Sequence, residues 1–150
     1  MMRLIVPTDV VMAVFRHAEV ERPNECCGFL AGQIREPVGL VVESIPIVNE
    51  LQSPTAYRTE ARSLFAAYRT LRDRQFELIA VYHSHPNVSA IPSRRDREEW
   101  TYGETACAIV GMADGKPELR VWQLRGDIAT VHELEIVVAQ SPALSGSDSP

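Results

Sequence analysis

The sequence lacks several features that define large classes of proteins. None of its apolar runs reaches the roughly 18 residues that a membrane-spanning helix needs, so no membrane partner is predicted. It has only three cysteines, two of them adjacent, and this does not fit a disulfide framework. Residues 1–7 contain no long apolar segment and no small-residue cleavage site, so no secretory signal is predicted. Together these absences predict a cytoplasmic protein with reduced thiols.

The composition is that of an ordinary globular protein. A chain of 150 residues suits one domain, and at this length about 70% of the unfolded chain's surface can be buried. Hydrophobic residues make up 45% and charged residues 23%, which excludes a disordered chain, a collagen-like fibre and a coiled coil. The last ten residues, SPALSGSDSP, are small and polar. We therefore predict one domain over residues 1–138 and a disordered tail over 139–150.

The charge is mildly acidic and unevenly distributed. The net charge of −5 makes the chain a poor nucleic-acid binder, so no nucleic-acid partner is predicted. Residues 58–97 nevertheless contain eight arginines against four acidic residues. This stretch is either a docking surface for an acidic partner or a solvated face with local ion pairs, and the sequence leaves both interpretations open.

Apolar periodicity predicts alternating strands and helices. We expect three helices: one that begins at Thr8 and ends before Pro23, one over Thr59–Arg74, and one from Ser93 to Trp100. The predicted strands are Leu4–Val6, Gly28–Gln33, Val38–Val48, Phe76–His83, Ala106–Met112, Leu119–Arg125 and Ile128–Val138. This order predicts an α/β or α+β fold around one mixed sheet. Thr8 is the expected N-cap of the first helix, and Leu64, Phe65, Tyr68 and Leu71 are the expected apolar stripe of the second.

The segment His83-Ser84-His85-Pro86 contains the most informative pattern. Histidines at i and i+2 on a strand point to the same face with Cα atoms about 6–7 Å apart, so both imidazoles can reach one ion. Pro86 ends the strand there, and Asp96, in the first turn of the following helix, can add a carboxylate. Three ligands with an open position are typical of catalytic zinc. Ser84 points the opposite way and is expected to make a structural hydrogen bond.

Each part of this pattern also has an ordinary interpretation. Ser93-x-x-Asp96 is close to a helix capping box, although a carboxylate with two oxygens can cap and ligate at once. Glu25 precedes a buried strand and is either a catalytic base or a surface acid. Cys26 and Cys27 are either nucleophiles paired with a histidine or small buried hydrophobic residues, and we favour the second. Tyr57 is expected to pack in the core or at a rim rather than to bind substrate.

The composite pattern resembles the JAMM (MPN-plus) metalloprotease family. Its pattern is a Glu followed by His-x-His-Pro-x6-Ser-x2-Asp, and this chain matches every position from Glu25 before Cys-Gly-Phe-Leu-Ala-Gly to Asp96. The resemblance implies that His83, His85 and Asp96 bind one zinc ion per chain. It implies that Glu25 takes a proton from the attacking water and passes it to the leaving amine, and that Ser93 donates a hydrogen bond to the oxyanion.

The resemblance also implies a fold and a substrate. The fold would be a cytidine-deaminase-like α/β sandwich with a curved mixed sheet flanked by helices. The activity would be that of a zinc metallopeptidase or isopeptidase acting after the Gly-Gly tail of a ubiquitin-like sulfur-carrier protein, as in small prokaryotic members. Alternatives are a broader lysine-isopeptide deconjugase and an inactive MPN-type binding scaffold. A zinc deaminase is disfavoured because its His-x-Glu and Cys-x-x-Cys pattern is absent. The oligomeric state stays open.

Overall fold

The computed structural model describes residues 1–124 and 131–140. Within them the strands are β1 (Arg3–Pro7), β2 (Cys27–Arg35), β3 (Val38–Ile47), β4 (Glu77–His85), β5 (Ala106–Gly111), β6 (Glu118–Leu124) and β7 (Val131–Ala139), and the helices are α1 (Thr8–Glu21), α2 (Ala61–Arg74) and α3 (Arg94–Glu98). The predicted beginning of the last strand at 128–130 and residues 141–150 of the predicted tail lie outside the described residues. Ala139, the predicted first residue of that tail, is instead the last residue of β7. No helix in the described ranges is long and apolar enough to cross a membrane.

The strands form one mixed sheet in the order β1-β3-β2-β4-β5-β6-β7. Strand β1 pairs in parallel with both β3 and β7, which closes the sheet into a barrel. At its centre β4 pairs antiparallel with β2 and parallel with β5, so β4 is hydrogen-bonded on both edges. The predicted mixed sheet with helices is confirmed, although the sheet is closed rather than open. The likeness to a cytidine-deaminase sandwich stays a prediction.

The two long helices bury their apolar sides against different sets of strand residues. Helix α1 packs with Ala80 and Tyr82 of β4, whereas α2 packs with Val81 between them. Because side chains alternate along a strand, His83 and His85 continue the row of Val81, on the α2 side of the sheet. The sheet therefore determines which face of the molecule receives both histidines.

Two local predictions about the helices are wrong. Thr8 does not cap α1, because its hydroxyl donates a hydrogen bond to the Ala139 carbonyl of β7 at 3.0 Å. Phe65 is not a core residue: its exposed fraction is 71%, and α2 instead buries Ala67 and Leu71. Helix α2 begins at Ala61. Its N-cap is Glu60, whose carboxylate accepts hydrogen bonds from the N–H groups of Arg62 and Ser63.

Candidate metal centre

The end of β4 presents two histidines in a buried position. The exposed fraction of His83 is 0% and that of His85 is 3%. Between them, Ser84 accepts a hydrogen bond from the Cys26 N–H at 2.8 Å and donates its own N–H to the Cys26 carbonyl at 3.1 Å. The predicted structural hydrogen bond of Ser84 is therefore confirmed. It fixes the end of β4 against the residue that follows Glu25.

Helix α3 brings a carboxylate to the two imidazoles. Ser93 is its N-cap, and the Ser93 hydroxyl accepts a hydrogen bond from the Asp96 N–H at 3.0 Å. In return, Asp96 Oδ2 accepts one from the Ser93 N–H at 2.9 Å, which completes the capping box. Both carboxylate oxygens of Asp96 still face the histidines. Asp96 therefore belongs both to the cap of α3 and to the group of possible metal ligands, and the cap holds its carboxylate in place.

The three side chains form a group that could hold a metal ion. The Nε2 atoms of His83 and His85 lie 3.2 Å apart. His83 Nε2 is 3.0 Å from Asp96 Oδ1, and His85 Nε2 is 3.0 Å from Asp96 Oδ2. Around an ion with bonds of about 2.0 Å, tetrahedral ligand atoms lie about 3.3 Å apart, so this spacing fits zinc. Two imidazoles and one carboxylate also match the donor preference of zinc.

Neighbouring groups orient these donors and shift their pKa values. Burial alone would raise the pKa of Asp96, but the facing histidines and the Ser93 N–H outweigh burial and hold that pKa well below its ordinary value. Burial alone would lower the pKa of His85, but its bonds to Asp96 and to the Ser89 carbonyl raise it. His85 Nδ1 lies 2.8 Å from the Ser89 carbonyl oxygen. Donation from Nδ1 leaves Nε2 free as a ligand atom.

Glu25 lies beside this group with a buried carboxylate. Its exposed fraction is 5%, and Oε1 has no hydrogen-bond partner among the described residues. Burial, the largest effect, raises the pKa of Glu25 to about 8, while the charge of His85 lowers it and that of Asp96 raises it. An ion at the neighbouring donors would give this unsatisfied oxygen a function, because a water held there could hydrogen-bond to it. The interpretation of Glu25 as a surface acid is therefore wrong.

Asn49 and Tyr57 belong to the site although the sequence did not indicate them as site residues. The buried Asn49 amide donates to the carbonyls of Glu25 and Ala56, both at 3.0 Å, and its Oδ1 accepts from Leu51 and Arg58. It therefore connects the backbone of Glu25 to the loop that holds Tyr57. The only signal that could have indicated Asn49 is its place as the first polar residue after the predicted strand Val38–Val48. Tyr57 packs beside the core, as predicted, but it does so against His83.

The loop between His85 and Ser93 is fixed to the neighbouring strands. The Met112 N–H donates to the carbonyls of His85 and Val88, both at 3.1 Å, and the Trp122 indole donates to the Ala90 carbonyl at 2.9 Å. Gly111, at the end of β5, allows this close approach. A Cβ built at Gly111 would lie 2.3 Å from the Ala90 nitrogen. The loop thus holds α3 at a fixed position relative to β4.

The cysteines have the environment of core residues. All three are free and buried, and burial raises the pKa of both Cys26 and Cys27 to about 12. Thiols with such pKa values are protonated at neutral pH, which disfavours a nucleophilic function. The prediction that they act as small buried hydrophobic residues is consistent with their packing in the two clusters on either side of the sheet.

A groove of about 310 Å³ opens beside Asp96. It is lined by the loop residues Leu51 and Thr55–Thr59, by Arg95, Asp96 and Glu99 of α3 and its end, and by Trp100–Tyr102. The closed mixed sheet with its helices defines an α+β protein. Its central strand places two buried histidines beside a carboxylate and next to this groove, which gives a candidate three-ligand metal centre.

The chain belongs to the prokaryotic JAB-domain family, the JAMM type: the family described as prokaryotic homologs of the JAB domain matches residues 7–125. The CysO-cysteine peptidase of Mycobacterium tuberculosis is 30% identical over 135 residues, which cover 89% of this chain and 91% of that protein. A probable TtuB-protein conjugate cleaving protease of Thermus thermophilus is 38% identical over 97 residues, 64% of this chain and 62% of that protein. These relatives are named as a peptidase and a protease, which supports a hydrolase.

A solved structure shares the fold. The solution structure of protein DSY2949 from Desulfitobacterium hafniense superposes with a TM-score of 0.83 at 26% identity, covering 94% of both chains. The coverage extends well beyond the motif residues, so the likeness concerns the whole sheet and its helices.

Proposed function

We propose that this protein is a zinc-dependent peptidase or isopeptidase. The observation that carries the proposal is the buried group of His83, His85 and Asp96 with the unsatisfied carboxylate of Glu25 beside it. The three ligands would hold one zinc ion, which supplies Lewis-acid polarisation of the scissile carbonyl and of a water. The peptidase and protease names of the relatives support the same class of reaction.

The remaining chemistry is assigned to two side chains. Glu25 accepts a proton from the attacking water as the C–O bond forms, and passes it to the leaving nitrogen as the C–N bond breaks. A buried carboxylate beside the three donors is placed for both steps, since a general base and acid must lie within hydrogen-bond reach of the proton that it moves. The Ser93 hydroxyl uses its oxygen to accept from the Asp96 N–H, so its hydrogen is free to donate to the oxyanion.

The proposed substrate is a ubiquitin-like sulfur carrier ending in Gly-Gly, cleaved after its tail. Glycines are the residues that fit where a backbone must lie close to a metal centre in a narrow groove, and the groove beside Asp96 leads to the donors. The relatives are named for CysO-cysteine and for TtuB–protein conjugates. The three free buried cysteines support the reducing, cytoplasmic compartment predicted from the sequence.

A broader lysine-isopeptide deconjugase is the second candidate, favoured by the name of the Thermus relative. Both candidates use the same chemistry and differ only in the amine that leaves. An inactive MPN-type scaffold has less support, because a scaffold has no need for a full donor set and a buried base carboxylate.

Zinc content and hydrolysis together test the proposal. The wild-type protein is expected to bind one zinc ion and to cleave a carrier–peptide fusion after Gly-Gly. Glu25→Gln is expected to keep the zinc and to lose at least about 100-fold in turnover, whereas the exposed control Glu104→Gln keeps both. Absence of cleavage by the zinc-loaded wild type, or wild-type turnover in Glu25→Gln, refutes the assignment.

A further inference from the structure

Arg95 contributes a positive charge to the wall of the groove beside the candidate metal centre. It directly precedes Asp96 in α3, and its side chain is 52% exposed. Burial is the largest influence on the pKa of Glu25 and raises it, whereas the positive charge of Arg95 lowers it. Arg95 therefore lies close enough to the proposed base to act on it electrostatically.

The neighbouring Arg94 has the same local chemistry but a different surrounding. Arg94 Nε donates to Glu98 at 2.7 Å and Arg95 Nε donates to Glu99 at 2.5 Å, each four residues further along the helix. Among the described residues, the lining of the groove includes Arg95 but not Arg94, whose side chain is 84% exposed. The two arginines thus differ in their access to a ligand in the groove and not in their own ion pairs.

The ion pair with Glu99 leaves most of the Arg95 guanidinium available to a ligand. A guanidinium has five N–H donors, and the bond to Glu99 uses the one on Nε. Within residues 1–124 and 131–140, Glu99 is the only ion-pair partner of Arg95 within 4 Å. An exposed pair of this kind contributes little to stability, so a ligand can share or displace Glu99. The ligands that guanidinium groups bind best through paired N–H donors are carboxylates and phosphates.

The two amines considered as leaving groups differ in the charge beside them. In a single amino acid the carboxylate carbon is two bonds from the nitrogen, at about 2.5 Å. In a lysine isopeptide the leaving nitrogen is the side-chain amine, and a four-carbon stem separates it from the backbone. A cation near Glu25, the proposed proton donor to the leaving nitrogen, therefore matches an amino acid with a free carboxylate and has no counterpart in the isopeptide.

We propose that Arg95 binds the free α-carboxylate of the residue that leaves, so that the protein acts as a carboxypeptidase removing one amino acid from the Gly-Gly end of the carrier. This inference rests on the proposed function and deepens it by naming the leaving group. The water oxygen bonds to the carbonyl carbon of the last glycine, the C–N bond breaks, and the proton held by Glu25 goes to the leaving nitrogen. The products are the carrier with a free Gly-Gly carboxylate and one amino acid. Arg95 moves no proton and determines specificity.

Four derivatives of a ubiquitin-like carrier test this assignment. The first ends in Gly-Gly-Ala with a free carboxylate, and the second has the same sequence with a terminal carboxamide. The third ends in a Gly-Gly-Asp carboxamide, so that its only added carboxylate is on a side chain. The fourth has Gly-Gly joined to the side-chain amine of a lysine whose own amine and carboxylate are blocked. The proteins compared are the wild type, Arg95→Gln and the matched control Arg94→Gln.

The wild type is expected to cleave the alanine acid with a kcat/KM at least about tenfold above that of the alanine carboxamide. This preference is expected to disappear in Arg95→Gln and to be unchanged in Arg94→Gln. Because both substrates use Glu25, any general effect of Arg95 on the base cancels in the ratio. Equal kcat/KM values for acid and carboxamide in the wild type, or a preference that Arg95→Gln keeps in full, overturn the proposal.

Binding provides a measurement that does not depend on turnover. In Glu25→Gln, the affinity for the alanine acid is expected to exceed that for the carboxamide at least about tenfold in calorimetric titration. Adding Arg95→Gln is expected to abolish this difference, and adding Arg94→Gln is expected to keep it. An aspartate carboxamide that binds and is cleaved as well as the alanine acid would assign a side-chain carboxylate to Arg95 and overturn the proposal. Faster cleavage of the lysine derivative than of the alanine acid overturns it as well.

Failure of this inference and failure of the proposed function have different outcomes. If the zinc-loaded wild type cleaves all four derivatives equally well, the proposed function stands and the assignment of Arg95 is wrong. If it cleaves none of them but binds the alanine acid preferentially, and Arg95→Gln loses that preference, the proposed function is wrong and the carboxylate site stands.

Discussion

Tyr57 lies face to face with His83, with ring centroids 4.7 Å apart and ring planes 24° apart. This contact replaces a hydrogen bond, because His83 Nδ1 has no partner among the described residues. Histidine ligands are usually oriented by a hydrogen bond to their second nitrogen, and loss of such a contact typically costs about 10–100-fold in metal affinity. The stacked tyrosine ring therefore fixes the orientation of the imidazole.

Substituting Tyr57 by Leu is expected to weaken zinc affinity about tenfold, because the aliphatic side chain cannot keep the imidazole plane fixed. Tyr57→Phe retains the ring and is the matched control, expected to bind zinc as the wild type does. Competition with a chromophoric chelator measures both affinities. Equal affinities for Tyr57→Leu and Tyr57→Phe would exclude a positioning function for the stack.

Ser93→Ala is expected to affect stability and activity to different extents. Loss of the N-cap costs about 1 kcal/mol of unfolding free energy, measured by chemical denaturation. Loss of an oxyanion donor lowers kcat by about 100–1,000-fold, far more than the stability change explains. Ser44→Ala, at a half-buried position of β3 outside the site, is the control. A fall in kcat of less than tenfold would show that the hydroxyl does not contact the oxyanion.

The buried carboxyl of Glu25 predicts a pH-dependent stability of the chelator-treated protein. Burial raises its pKa to about 8 in the folded state, whereas the unfolded chain has a carboxyl pKa of about 4.3. The protonated carboxyl stabilises the folded state fully below pH 4.3, and this contribution is lost as the pH rises through 8. Glu25→Gln mimics the protonated form at every pH.

Glu25→Gln is therefore expected to be more stable than the wild type by about 1–3 kcal/mol at pH 8, with a much smaller difference near pH 5. Urea denaturation of both proteins with a chelator present measures this difference. Glu104→Gln removes an exposed carboxylate and is expected to show no such trend. A difference that does not change with pH would argue against a desolvated carboxyl at position 25.

Removal of the adjacent thiols is expected to leave catalysis intact. Cys26→Ala and Cys27→Ala each remove a buried sulfur and should cost about 1 kcal/mol of stability. Because the pKa of each thiol is raised to about 12, neither supplies a thiolate at neutral pH. The measurement is kcat for the carrier–peptide fusion. A fall in kcat to the level of Glu25→Gln would instead support the alternative that one of these cysteines is the nucleophile.

The parts of the site that are close along the chain were predictable from the sequence. Period-two alternation places His83 and His85 on one side of a strand, and the capping spacing places Asp96 at a helix start. Glu25 is different, because its position depends on the antiparallel pairing of Cys27 with His83. The residues alone left it as either a base or a surface acid. The stacking of Tyr57 depends on a loop conformation that no local pattern encodes.

The exposure of Phe65 shows a similar limit for helices. Helical spacing groups Leu64, Phe65, Tyr68 and Leu71 in one apolar arc, but spacing does not say where the centre of that arc meets the sheet. The sheet contacts the side of α2 that contains Leu64, Ala67 and Leu71. A small alanine occupies the central buried position, and the larger phenylalanine is directed to solvent.

The close contact between Gly111 and Ala90 gives a steric reason for the fixed spacing between the proline and the serine of the His-x-His-Pro-x6-Ser motif. Six residues separate Pro86 from Ser93, and in the middle of that stretch the chain lies against a strand that has no room for a side chain. An added residue would have to bulge outward, and a removed one would pull the aspartate away from the imidazoles. The six-residue spacing between Pro86 and Ser93 is thus set by packing against a neighbouring strand. A substitution of Gly111 would therefore disturb the candidate metal centre, although Gly111 contributes no ligand atom to it.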